Sequence, residues 1–319
     1  MMASIKLFFS LFYKAYLKWG EDKAATLAAA LALYTGMSLA PLLILIVALA
    51  GLILNGDEVQ QSILMQVDAA LGQSGVEIVE AILVNAFDPT AGIIASIISL
   101  ASFMWSASSL FAQLQDAMND IWHVPEEKKS GIMAFLVARG KAVLMVILLG
   151  VLLIFTVALT TIIQAFQTML QSPAIAARIP LLSDGAYQQL IDIVLPITDV
   201  VFSILVLMFV FGWLFRFVPR VALTNRDVMA GALLTSILFY IGKYGLAIYL
   251  TGGSVGSAYG AAGALLVLLV WVYYSGQILF YGVAYTYVWT HTFGSRKEAV
   301  SAETDEPTPS DEIEPTVST

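Results

Sequence analysis

The most chemically unusual residue in this chain is a lysine inside an apolar stretch. Lys243 lies in the segment 228–250, with Tyr240 and Tyr244 beside it. At about 1.5 Å per helical residue from Val228, it stands roughly 22 Å along that segment. In a hydrocarbon core about 30 Å thick, that is the outer third. A lysine at the centre of a membrane helix costs about 2.5–3.5 kcal/mol. Two arrangements lower the cost: the long stem carries the ammonium to the surface, or an acid pairs with it. Asp199, near the outer end of the segment 196–217, is the acid at similar depth. A Lys243–Asp199 contact is therefore the specific expectation, with snorkelling as the alternative.

A second constellation is a polar stripe. Ser99, Ser102, Ser106, Ser109, Gln113, Asp116 and Asp120 follow one another at alternating spacings of three and four. On a continuous helix that rhythm puts all seven on one face. Two functions fit. Small serines let a neighbouring helix come close and hydrogen-bond across it. Alternatively the stripe is a polar wall that widens into a vestibule at Gln113 and Asp116, since acids at membrane depth face a cavity or a partner. Tyr273 and Gln277 lie mid-segment in 260–289 and need hydrogen-bond partners, so they join the candidates for packing or for lining a pathway.

Patterns of soluble catalysis are absent. The histidines are His123 and His291, which lie in different loops or helix ends, and there is no cysteine. A His-based metal cluster, a disulfide and thiolate chemistry are not expected. Gly140-Lys141 and Gly242-Lys243 lack the upstream glycine and the following Ser/Thr of a phosphate loop. A nuclease would want clustered acids for divalent metals, whereas Glu126 and Glu127 sit beside Lys128 and Lys129. The expectation is a non-enzymatic protein with no cofactor and no nucleic-acid partner.

The elements that must position these residues are long and apolar. The chain is 319 residues long, 59% hydrophobic and 12% charged, with a mean hydropathy of +0.86. A soluble chain carries about 25% charged residues. Six segments are long enough to cross a bilayer: 26–54, 91–115, 141–168, 196–217, 228–250 and 260–289. Lys6, Lys14, Lys18 and Lys23 precede the first. Lys128, Lys129, Arg139 and Lys141 fall between the second and third, and Arg216, Arg220 and Arg226 around the junction of the fourth and fifth. Arg296 and Lys297 follow the last. Cytoplasmic loops collect Lys and Arg, so the pattern predicts six spans with both ends inside. The expected fold is all-α: a polytopic membrane bundle over 26–294, partnered by the lipid bilayer.

The flanks read differently. Residues 1–25 interleave apolar residues with Lys6, Lys14 and Lys18, which predicts a cytoplasmic interfacial helix with lysines towards anionic headgroups. The first apolar segment is not followed by a small-residue cleavage site, so it reads as a retained span and not a signal peptide. Pro41 predicts a kink in it. In the outer gap 55–90, Ile63, Val67 and Leu71 and then Ile78, Ile82 and Ala86 repeat every four residues. They predict an amphipathic helical hairpin, either a lid or a gate. Residues 295–319 carry seven acids and few large apolar residues, the composition of a disordered acidic tail.

Several stretches resemble the YihY/BrkB family of bacterial inner-membrane proteins. They are AATLAAALALYTGMSLAP (24–41), SLFAQLQDAMNDIWHV (109–124), RFVPRVALTNRDVMAGALLTSILFYIGKYG (216–245) and YGAAGALLVLLVWVYYS (259–275). The resemblance covers about residues 19–290. It implies a six-span helical protein of the bacterial cytoplasmic membrane. Members have carried ribonuclease and virulence-factor labels and have been suspected of envelope lipid or solute transport. Pro41, Trp122, Arg216, Pro219, Lys243, Tyr259, Gly260, Trp271 and Tyr273 stand where the family pattern has them. Many members have Gly-Ala-Glu near the end of the last span; here the run is Gly282-Val283-Ala284. The missing acid weakens an ion-coupled mechanism built on it. The functional expectation is transport or translocation of an amphipathic, lipid-like or small solute. The alternative is a non-transporting protein that organises or regulates envelope assembly.

Overall fold

The computed structural model describes residues 2–50, 92–125, 132–170, 185–252 and 262–297, with isolated residues between 61 and 80. Among them are seven α-helices and no strand. They are α1 (Met2–Glu21), α2 (Ala24–Ala50), α3 (Gly92–Ile121), α4 (Ile132–Leu170), α5 (Gly185–Phe217), α6 (Asn225–Gly252) and α7 (Ala262–Thr292). Three contain stretches long and apolar enough to cross a membrane: Pro196–Phe217, Asn225–Gly245 and Leu265–Thr292. Ala24–Ser38 is a shorter apolar stretch. The hairpin expected in 55–90 and the tail after 297 lie outside the described residues, apart from those isolated positions. So does the surroundings of the Pro41 side chain.

Two boundaries depart from expectation. α4 starts at Ile132, so Arg139 is helical and not a loop residue ahead of position 141. α5 starts at Gly185, about three turns before the span expected over 196–217, which itself coincides with the apolar stretch Pro196–Phe217. The charge of Arg139 placed it in a loop, yet it lies inside a helix.

Helix ends show why the chain turns where it does. Lys23 and His123 both have φ of 51°, the left-handed region that favours glycine. Each closes a helix. Lys23 N–H donates to the Gly20 carbonyl at 3.1 Å. His123 N–H donates to Asp120 and Val124 N–H to Asn119, both at 3.0 Å. The α3 ending satisfies two orphan carbonyls in the Schellman manner. At the start of α6, the Thr224 carbonyl accepts from Asp227 and Val228 N–H at 3.0 and 3.1 Å.

Helix α7 is the hub. It packs on α1, α2 and α6 and touches α3, while α2 pairs with α3, α3 with α4, and α5 with α6. Small residues set these approaches. A Cβ on Gly276 of α7 would meet the Ala28 Cβ of α2 at 3.2 Å. Among the described residues the core gathers around the end of the bundle where α3, α5 and α7 terminate. Met118, Ile121, Phe215, Val218, Phe280 and Val283 are each at most 1% exposed. Side chains of α3 also tie down the α5–α6 turn. Gln115 Nε2 donates to the Val218 carbonyl at 2.8 Å, and Asn119 Oδ1 accepts from Arg220 N–H at 2.9 Å.

The first helix parts its lysines between two faces. Leu11, Ala15 and Lys18, at i, i+4 and i+7, form its buried face. Phe9, Tyr13 and Tyr16 are outward and exposed. Lys14 is exposed, but Lys18 turns inward and is held by protein. Of the two lysines whose side chains are described, one faces outward and one faces the protein.

Candidate functional site

Lys243 lies on an exposed face of α6 with its ammonium over aromatic rings. Nζ is 4.2 Å from the Tyr240 ring centroid and 4.9 Å from that of Tyr244. The two hydroxyls are 3.2 Å apart. Asp199 is exposed on α5 and forms no ion pair with Lys243. The expected Lys243–Asp199 contact is thus replaced by cation–π contacts, which stabilise a lysine by about 0.5–2 kcal/mol. The physical reason is proximity. Tyr240 is one turn away on the same helix, whereas Asp199 must reach across from another.

The polar stripe of α3 divides. Ser109 donates to the Trp105 carbonyl at 2.8 Å and accepts from Arg139 Nη2 of α4 at 2.6 Å. The same Nη2 donates to the Trp105 carbonyl at 2.8 Å, and the guanidinium lies 4.0 Å over the Trp105 ring. Ser109 is therefore part of a helix–helix clasp. Ser106 and Gln113 are half-buried, and Asp116 is exposed. The residues of α3 that hold the α5–α6 turn, Gln115 and Asn119, lie off the stripe. Their serviceable signal was amide chemistry near a helix end, which periodicity does not report. Tyr273 packs against the main core and borders a shallow hollow between α2 and α7.

Gln277 leads to a cavity. A space of about 390 Å³ lies between α1, α6 and α7. Tyr16 and Trp19 come from α1, Leu238, Ile241, Gly242 and Gly245 from α6, and Tyr274, Gln277, Ile278 and Tyr281 from α7. The two glycines act differently. A Cβ on Gly242 would stand 2.8 Å from Ile278 Cδ1 and 3.0 Å from the Tyr274 hydroxyl, so Gly242 permits helix contact. Gly245 has nothing within 4 Å of such an atom and leaves its side of the cavity empty. Tyr281 donates to the Phe12 carbonyl at 3.1 Å, fastening α1 over one side. The Trp19 indole Nε1–H is buried and has no hydrogen-bond partner. A buried donor of that kind costs about 1–3 kcal/mol until something accepts from it. The cavity is thus apolar with one amide and phenolic hydroxyls in its lining, which suits an amphipathic molecule.

A second polar group joins residues far apart in the chain. Lys18 Nζ donates to Asp22 Oδ2 at 2.7 Å and to His123 Nε2 at 2.9 Å. It also stands 4.1 Å over the Tyr287 ring. Lysine has no acceptor, so Nε2 must accept, and the His123 proton sits on Nδ1. Asp22 Oδ1 is 3.7 Å from the same Nε2. The Tyr287 ring is 4.1 Å from that of His291 and 6.1 Å from that of His123. The two histidines, separate in the sequence, meet on one tyrosine. No group of three potential metal ligands is found among the described residues.

Comparison with known proteins finds membrane proteins among its relatives. The chain is 35% identical over 108 residues to UPF0761 membrane protein Ent638_4092 of Enterobacter sp. (strain 638), a match covering 33% of this chain and 36% of that protein. It is 32% identical over 108 residues to UPF0761 membrane protein YihY of Shigella boydii, covering 34% and 37%. YihY of Escherichia coli gives the same identity and coverage. The chain thus aligns with little more than a third of these relatives' length. No solved structure matches it. The profile of a family described as Virulence factor BrkB matches residues 15–306, nearly the whole chain, and the protein is a membrane protein of that YihY/BrkB family.

Proposed function

We propose that this protein crosses a bacterial cytoplasmic membrane six times, with both termini in the cytoplasm, and moves an amphipathic or lipid-like solute. The observation that carries the reading is the cavity between α1, α6 and α7. It combines apolar walls with the Gln277 amide and the phenols of Tyr16, Tyr274 and Tyr281. Lipid-like molecules present the same division between an apolar body and polar acceptors. α2, α3 and α4 supply the other three spans in this reading, and the basic residues of the loops set the orientation.

Reconstituted protein tests it. Vesicles carrying a fluorescent phospholipid on both leaflets are treated with an impermeant reductant. Loss of signal beyond the outer-leaflet half reports transbilayer movement. Movement above that in protein-free vesicles is expected, together with slowing by Gly245→Leu, which fills the open side. Rates equal to protein-free vesicles for this and for soluble amphiphiles would remove transport.

A second reading has its own observation. The end of the bundle around Phe215, Phe280 and Val283 is packed shut, and Lys243 faces outward. Those features suit a non-transporting protein that organises envelope assembly. Unchanged movement in the vesicle assay, with altered envelope composition in a deletion strain, would favour it.

A further inference from the structure

A groove separate from that cavity runs between α5 and α6 and encloses about 510 Å³. Leu205, Met208 and Phe209 form one wall, and Val228 and Met229 the other. Gly212 forms the floor: a Cβ there would meet Ala232 and Val228 only at ordinary contact, 3.8 and 4.0 Å. Leu205, Phe209, Phe217 and Met229 are each more than half exposed, so the groove opens away from the bundle. From Leu205 to Phe217 it is about 18 Å long, close to half of a hydrocarbon core about 30 Å thick. Trp213 lies tilted beside Phe217, centroids 5.6 Å apart, which is aromatic chemistry of the membrane–water boundary.

The loop end of this trough is positive. Arg216 and Asn225 close it, and Arg220 and Arg226 are exposed beside it. None of the three arginines is ion-paired with an acid among the described residues. The adjacent acid, Asp227, does not neutralise them from solvent. It is 2% exposed, and its Oδ2 accepts from the Ser295 hydroxyl at 2.8 Å. The N-terminus of α6 lies at the same end, with Asp227 in its first turn, so the positive charge there is that of the arginines. An apolar trough of acyl length that ends in an uncompensated guanidinium matches a single-chain contact plus an anionic headgroup.

We propose that the α5–α6 groove binds one anionic phospholipid. Its phosphate sits at Arg216 and Asn225, and an acyl chain lies along Leu205, Phe209 and Met229. The site does not depend on transport. A resident lipid there covers the exposed face of the α5–α6 pair whether or not the other cavity moves anything.

The test uses the full-length protein in mild detergent, offered equal amounts of phosphatidylglycerol and phosphatidylcholine with matched chains. Bound lipid is counted by native mass spectrometry. Phosphatidylglycerol should be retained preferentially, at one tightly held molecule per chain. Arg216→Gln should lower that retention about fivefold, the equivalent of about 1 kcal/mol for one basic residue at the surface. Arg216→Lys should keep it within about twofold, because the charge remains while the bidentate fork is lost. Gly212→Leu fills the floor without altering charge and should weaken both lipids. Lys14→Gln, an exposed lysine of α1, should change nothing. Equal retention of the two lipids overturns the proposal, as does an equal loss from Lys14→Gln and Arg216→Gln. A dimer that Gly212→Leu splits, with lipid retention unchanged, would assign the groove to a second copy instead. If Arg216→Gln fails to fold, Arg216→Lys and Gly212→Leu still decide the matter.

Discussion

The Thr235 side chain occupies the space in which a Cβ on Gly282 would stand, its own Cβ 3.0 Å from that position. Thr286 does the same opposite Gly231, again with its Cβ at 3.0 Å. Each threonine hydroxyl donates at 2.7 Å to the carbonyl of the glycine one turn earlier on its own helix. The motif Gly-x-x-x-Thr thus occurs once on α6 and once on α7, and the two copies interlock in reverse. The hydroxyls are satisfied locally, which lets the backbones of α6 and α7 approach without leaving a buried donor unpaired.

Gly282→Ala and Gly231→Ala should each destabilise the protein by about 1–3 kcal/mol through overpacking. Thermal unfolding in detergent reads this as a lowered midpoint. Gly140→Ala is the contrast. It stands within α4 with nothing within 4 Å of an added Cβ, so alanine there should stabilise by about 0.4–1 kcal/mol. Equal effects at the three positions would show that the interlock is not what limits them.

Arg139 is the clasp between α3 and α4. Arg139→Met and Ser109→Ala should each destabilise, and the double change should cost less than their sum by about 0.5 kcal/mol or more. Additivity would mean that the 2.6 Å contact contributes nothing.

Lys18 and Asp22 have side chains only 9% and 7% exposed. Lys18→Met leaves the Asp22 carboxylate without its ammonium and should destabilise by about 1–3 kcal/mol. Adding Asp22→Leu should recover much of the loss, since an apolar pair of similar volume can replace an ion pair. A double variant no better than Lys18→Met would refute the pairing.

His123 bears two opposing effects. Its φ of 51° is unfavourable for a side chain by about 1 kcal/mol, and its imidazole accepts from Lys18. His123→Gly loses the contact but relieves the backbone; His123→Ala only loses the contact. Glycine should therefore be more stable than alanine by about 1 kcal/mol. The reverse order would contradict the backbone assignment.

For Lys243 and Asp199, the cation–π geometry predicts independence. Their alanine substitutions should add within about 0.5 kcal/mol in a double-mutant cycle. Lys243→Ala and Tyr240→Leu should couple instead. A strong coupling to Asp199 would restore the ion pair and overturn the aromatic arrangement.

Much of the fold was legible in the linear chain. Long apolar runs sustain helices because each backbone group is satisfied within the segment, so the all-helical class was legible. The edges were less legible. Arg139 and Pro196 look like boundaries, and both lie inside helices. The singular status of Lys243 was also visible, because a charge in an apolar run stands out without any structure.

What the sequence by itself determined is the class of element, its apolar character and the faces that periodicity defines. It could not choose partners. Lys18 meets His123 across 105 residues and Gln115 meets the Val218 carbonyl across 103. The inward turn of Lys18, the clasp at Ser109, the empty side of Gly245 and the groove above Gly212 all arise between helices. Periodicity fixes direction around one helix axis, but contact depends on crossing positions set by the small residues of two helices together. Only the tertiary structure decided which polar groups were consumed in packing and which, like the Trp19 indole, were left with a hydrogen bond still to make.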